Sequence, residues 1–164
     1  MKLDQDILQL RDNVIGHRRW LHRHPQTGFH EEDARDYILR FLESLDFDRV
    51  SVLAKTGVKA VIRGTQPDHT LAFRADMDAL AIREETGVEF ASEYDGFMHA
   101  CGHDGHMAML LGFAQWLSRN KAGLKDNVVL LFQPSEESIG GASPMIREGA
   151  LDDPAVDCIF GYHI

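Results

Sequence analysis

Three histidines, a thiol and a carboxylate fall within the eight residues His99-Ala100-Cys101-Gly102-His103-Asp104-Gly105-His106. Two glycines permit a tight backbone there, so Cys101 and His103, flanking Gly102, can converge on one point just before a predicted helix. Thiolate and imidazole are good ligands for zinc, manganese or another first-row metal. A helix N-terminus and a bound metal both lower a thiol's pKa. A bare C-x-H is not specific, and a polar loop with incidental histidines has the same composition. A second group, Gln133-Pro134-Ser135-Glu136-Glu137, directly follows the most apolar run of the chain. Neighbouring carboxylates at the end of a core strand point in different directions, so one can hold a metal while the other moves protons. A surface loop with two solvated acids is the alternative. His163 follows the last predicted strand, where a lone histidine is more often structural than a ligand. Asp76 and Asp78, in Phe73-Arg74-Ala75-Asp76-Met77-Asp78-Ala79-Leu80, lie just past a strand. They could bind a metal directly or brace a ligating histidine from behind, and the bracing role is favoured.

The elements that must position these groups follow from periodicity. Ile7, Leu10, Val14, Ile15, Arg18 and Leu21 recur at helical spacing, predicting a helix from about Asp4 to Arg23 that Pro25 stops. A second helix is expected over Glu31 to Leu45, its acidic start suited to the positive end of the helix dipole. Strands are predicted at Arg49 to Leu53, Val58 to Ile62 and Thr70 to Phe73, followed by a turn-rich stretch from Asp76 to Gly102. A helix over Asp104 to Asn120 precedes Val128 to Phe132, whose unbroken apolar run marks a strand buried on both faces. A helix at Ala142 to Glu148 and a strand at Cys158 to Gly161 complete the pattern. Strands alternating with helices predict an α/β domain, a three-layer α/β/α arrangement around a mixed, largely parallel sheet. In such sheets sites lie at the carboxyl ends of strands, where the candidates fall.

Composition narrows the partners. Lys plus Arg number 17 against 26 for Asp plus Glu, and this net charge of −9 disfavours binding to a nucleic-acid backbone. No apolar run approaches the ~18 residues of a membrane span, and the first residues, MKLDQD, lack the apolar stretch of a secretory signal. Cys101 and Cys158 stand far apart and suit a reducing, cytoplasmic setting. Other residues are expected to pack or face solvent: His17, His22, His24 and His30 as surface or helix-packing groups, Cys158 as a small buried hydrophobe, and Met107 and Met109 as packing. Asp104 could cap the following helix, and His106 could line a pocket.

Taken together, the motifs resemble a known family. Arg74-Ala75-Asp76-Met77-Asp78-Ala79-Leu80, the His99–His106 run, Gln133-Pro134-Ser135-Glu136-Glu137 and Gly161-Tyr162-His163 come in the order of the hippurate hydrolase type of amidohydrolase. This metallopeptidase-like group includes bacterial aminoacylases and plant indole-acetyl-amino-acid hydrolases. The segment Arg18-Arg19-Trp20-Leu21-His22-Arg23-His24-Pro25, followed by Glu31-Glu32, is similar to the family's opening helix and turn. The resemblance implies a hydrolase of N-acyl amino acids or related amides that uses two divalent metal ions, zinc or manganese first, with cobalt or nickel also suited. It implies Cys101, His103, Glu137 and His163 as metal ligands and Glu136 as general acid/base. Asp76, Asp78, Asp104 and His106 are then candidates to support the ligands or line the pocket.

The sequence departs from the family in two places. Ala81 stands where proline is usual, and the known relatives are more than twice as long. They carry a lid domain, often used for homo-oligomerisation, and a return segment that supplies a last histidine ligand. Residues 1–164 are therefore expected to be a partial catalytic domain, with metal binding weakened and little amidase activity alone. Two other readings compete: a thiol hydrolase with Cys101 as nucleophile and His103 or His106 as base, and a metal-binding module that keeps the fold without turnover.

Overall fold

The computed structural model describes residues 5–164. Five strands, β1 (Arg49–Leu53), β2 (Gly57–Ile62), β3 (Thr70–Asp76), β4 (Asn127–Gln133) and β5 (Cys158–Gly161), form one sheet in the order β1-β2-β4-β3-β5. The sheet is mixed: β3 runs parallel to β4 and to β5, whereas β1–β2 and β2–β4 pair antiparallel. The parallel half thus comprises the three strands whose ends carry the candidate residues.

All residues of β2 and β4 are buried, including Lys59 in the middle of β2, whose ammonium donates to the Gly149 and Asp152 carbonyls; the apolar run Val128 to Phe132 is covered on both faces. Alternation sorts them onto two faces. Val58, Ala60, Ile62, Val128, Leu130 and Phe132 pack against helices on one side, while Val61, Val129 and Leu131 face a smaller cluster with Met145 and Ala150. The larger layer contains α2 (Arg11–Arg23), α3 (Glu32–Glu43) and α4 (His103–Arg119), and the smaller contains α5 (Ala142–Arg147). The expected three layers are present, one thinner than the other.

Several local expectations change. The first helix is divided into α1 (Gln5–Leu8) and α2, because the chain tightens at Leu10, whose N–H bonds Ile7 O at 3.0 Å. That turn buries Leu10 and leaves Ile7 and Leu8 exposed; Asp4 lies outside the described residues. Glu31 does not serve the α3 dipole, since its side chain is drawn into the interior. β3 runs on to Asp76, three residues beyond the expected end, so Asp76 is held by the sheet and not by a turn. Cys158 is exposed, because β5 is an edge strand with every residue accessible. Met109 is likewise 41% exposed, on the outer face of α4.

Candidate metal centre

Three adjacent parallel strands deliver the chemistry to one edge of the sheet. Asp76 is the last residue of β3, Glu136 and Glu137 follow the end of β4, and His163 follows β5. His103 opens α4. Gly102 precedes it in the left-handed conformation (φ 80°), and a Cβ there would meet the Ile164 side chain at 2.7 Å. Glycine alone fits both demands comfortably, and its turn carries Cys101 and His103 to the same side.

His103 is the hub. Its Nδ1–H donates to the Asp78 carbonyl at 2.8 Å, which turns Nε2 toward the other candidates. That nitrogen is 3.3 Å from His163 Nε2, 3.6 Å from Asp76 Oδ1, 3.8 Å from Glu137 Oε1 and 3.9 Å from Glu136 Oε2. His163 Nε2 also lies 3.8 Å from Cys101 Sγ and 3.6 Å from Asp76 Oδ2. Donor atoms of Cys101, His103 and Glu137 fall within 4.8 Å of one another, as do those of Asp76, His103, His106 and His163. Two overlapping groups of S, N and O donors therefore share His103.

The aspartates are distinguished by position. Asp76 places its carboxylate among the donors, held by Arg74 Nη1 at 2.6 Å and by His106 Nδ1–H at 2.6 Å. Asp78 braces the loop instead, accepting the backbone N–H groups of Glu136 at 2.9 Å and Glu137 at 3.0 Å. His106 is fully buried; its Nε2 accepts the Ile164 N–H at 3.3 Å, so both ring nitrogens are engaged. Asp104 does not cap α4. Its Oδ2 accepts from His22 Nδ1 at 2.8 Å and Arg18 Nε at 3.1 Å, away from the donor cluster.

Electrostatics at the cluster favour a cation. Burial, a hydrogen bond donated by the thiol to Glu137 and the negative charges of Glu137, Glu136 and Asp76 push the Cys101 thiol up to about 11. Burial opposes charge on His103, but Asp78 and Asp76 outweigh it and raise its pKa. Asp78 is lowered despite burial, because His103 and two backbone N–H groups stabilise its anion. A raised thiol is the reverse of what an activated nucleophile needs, which counts against the thiol-hydrolase reading.

Sequence reasoning missed three supporting residues. Glu31 is fully buried, accepting the Ser135 N–H at 2.8 Å and the Thr56 hydroxyl at 2.6 Å, and so anchors the loop bearing Glu136 and Glu137. His22 is buried between Asp104 and Glu84 and is not a surface or simple packing group. Arg74 Nε donates to Gln133 Oε1 at 2.9 Å, tying the ends of β3 and β4 together. Only their closeness to the recognised motifs marked them.

Fold and site together define an α/β protein with donors for a metal gathered at the carboxyl ends of its parallel strands. The match to the model of peptidase family M20/M25/M40 over residues 72–164 goes further, and the chain belongs to that family. It is 42% identical over 155 residues to an N-acetyldiaminopimelate deacetylase of Bacillus velezensis, covering 94% of this chain and 41% of the relative. It is 42% identical over 166 residues to thermostable carboxypeptidase 1 of Saccharolobus solfataricus, covering 99% and 42% respectively. A solved structure from Bacillus subtilis, described as a dinuclear metal binding peptidase from the M20 family, superposes with a TM-score of 0.88 at 41% identity, over 95% of this chain and 44% of that one. The chain thus spans about two fifths of the length of the curated relatives it matches. Among the described residues, no helix is long and apolar enough to cross a membrane.

Proposed function

We propose that this chain forms the metal-binding part of an amidohydrolase that cleaves the amide bond of N-acyl amino acids or related small peptides. The observation that carries it is the meeting of Cys101, His103, Glu137 and His163 with Glu136 alongside. We assign the first four as ligands of two divalent cations, with Asp76 as a further oxygen donor that His106 and Arg74 hold. The donors suit such ions: a thiol, imidazoles and carboxylates in one cluster fit zinc or manganese, and cobalt or nickel can also be accommodated. The raised thiol is compatible with this: burial raises it first, and the carboxylates of Glu137, Glu136 and Asp76 beside it add negative charge that a cation would offset.

When bound, paired cations polarise a scissile carbonyl, acidify water and stabilise the oxyanion. Glu136 lies beside the ligands with no hydrogen bond to its carboxylate among the described residues, and its backbone N–H is fixed by Asp78. We assign it to take the proton of the attacking water and return it to the departing amine. Membership of the family supports the amide class, and the names of both relatives are consistent with it.

Metal content after dialysis, measured on the chain and its variants, tests this reading. Bound divalent metal, up to two ions per chain, is expected, falling in Cys101→Ser and His103→Ala and unchanged in Glu136→Gln. Hydrolysis of an N-acyl amino acid by the metal-loaded chain, lost in Glu136→Gln, is the activity this reading predicts. Absence of bound metal would overturn the assignment; metal without any turnover would favour a non-catalytic module.

A further inference from the structure

A cleft of about 580 Å³ opens beside the cluster, within the size range of sites for small molecules. Cys101 and Gly102 form one wall, Arg18 and His22 of α2 another, and Val88 and Phe90 an apolar side. The reaction outlined above uses none of these last four residues.

Arg18 stands out among them. Its Nε donates to Asp104 Oδ2 at 3.1 Å, and its guanidinium carbon lies 5.6 Å from the centre of the Phe90 ring. Asp104 is buried and also bonded to His22, whose other nitrogen meets Glu84 Oε1 at 3.1 Å. Both Glu84 oxygens are occupied in turn, one by the Ser92 N–H at 2.6 Å and the other by His22 and the Thr86 hydroxyl. The guanidinium is thus fixed through a buried chain of charges and from one flat side. Its Nη1 and Nη2 have no partner among the described residues, and the side chain is 51% exposed. In a chain of net charge −9, a positioned pair of free donors at the mouth of a cleft calls for an anion. A planar fork of this kind matches a carboxylate with two parallel hydrogen bonds.

We propose that Arg18 is a specificity-determining residue of this cleft, donating Nη1–H and Nη2–H to the free carboxylate on the amino-acid half of the substrate. The inference rests on the amidohydrolase reading for the identity of the substrate. It makes substrates with a free carboxylate preferred over their neutral amides.

The test uses 4-oxo-4-phenylbutanoate, in which a methylene replaces the amide N–H of benzoylglycine so that no amide can be hydrolysed, and its neutral carboxamide. Both are titrated calorimetrically into the whole chain at fixed divalent metal. The acid is expected to bind about tenfold tighter than the amide, the ratio falling to about one in Arg18→Gln and to an intermediate value in Arg18→Lys. A ratio of one in the unmodified chain, or no binding of either compound at millimolar concentration, would overturn the proposal. So would a ratio that survives Arg18→Gln and vanishes with chelator, since the cations would then hold the carboxylate. If Arg18→Gln does not fold, Arg18→Lys decides, and an unchanged ratio there refutes the role. Failure of the amidohydrolase reading is separable: it shows as absent metal, whereas failure of this inference shows as metal bound without discrimination by Arg18.

Discussion

Glu31 offers a quantitative test of how the carboxylate loop is held. Its side chain is fully buried and accepts hydrogen bonds from the Ser135 backbone and the Thr56 hydroxyl. Replacing it with alanine leaves both buried donors without partners, at ~1–3 kcal/mol each, partly offset because a buried carboxylate is no longer desolvated. The net loss for Glu31→Ala should therefore be about 2–4 kcal/mol. Ser135 has φ 52°, a left-handed conformation that costs a non-glycine residue ~1 kcal/mol, so the loop is expected to relax once its anchor is removed. Glu31→Gln keeps one acceptor and should cost only about 1 kcal/mol at pH 7. Burial raises the Glu31 pKa above its ordinary value, outweighing its hydrogen bonds. Its contribution is therefore fullest below the unfolded pKa and declines as pH rises through the folded one. The penalty of Glu31→Gln should accordingly be larger at pH 4 than at pH 7. Urea unfolding followed by circular dichroism, with chelator present so that metal adds nothing, measures both effects. An alanine variant within ~0.5 kcal/mol of the parent would refute this account of the loop.

Other residues lead to further predictions. In a Cys158→Ser background with chelator, alkylation of Cys101 should keep accelerating with pH up to about 11, and a plateau near pH 8.5 would contradict the burial and neighbouring carboxylates that raise it. The His22 pKa is raised chiefly by its hydrogen bond to Asp104, so the stability it supplies is present below about pH 6.5 and lost as pH climbs through the folded value. His22→Ala should cost about 2 kcal/mol in denaturant unfolding at pH 6 and clearly less at pH 9. Burial pushes His99 down to about 4, and neither ring nitrogen has a partner among the described residues. Acidification from pH 6.5 to 4 should remove about 3 kcal/mol through this residue, a loss that His99→Leu abolishes when the two unfolding profiles are compared.

The parts of the fold visible from sequence are those that local chemistry governs. Val128 to Phe132 could only be a strand covered on both faces, and the structure buries every residue of β4. The pairing of β2 between β1 and β4, both antiparallel, was not legible, because apolar runs carry no direction. Within the site, Cys101, His103 and the Glu136-Glu137 pair stood out through residue type and spacing, whereas His163 and the separate roles of the two glutamates came only from the family resemblance. Their neighbours were harder to place, because a carboxylate's task depends on what the fold brings to it. Asp76 and Asp78 lie two residues apart, yet one enters the donor cluster and the other braces a distant loop. Glu31 had the appearance of a helix-start acid until Ser135, 104 residues away, was seen to bond it. The exposure of Cys158 follows from its place on the edge strand β5, a property of sheet order that its apolar neighbours do not encode.

Zinc absorption spectroscopy on the chain loaded with two equivalents of metal would examine the dinuclear assignment at the atoms themselves. The account predicts sulfur at about 2.3 Å together with nitrogen and oxygen scatterers, and a second zinc about 3.5–4 Å away. The sulfur contribution should disappear in Cys101→Ser. A shell of nitrogen and oxygen alone, unaltered by that substitution, would contradict it.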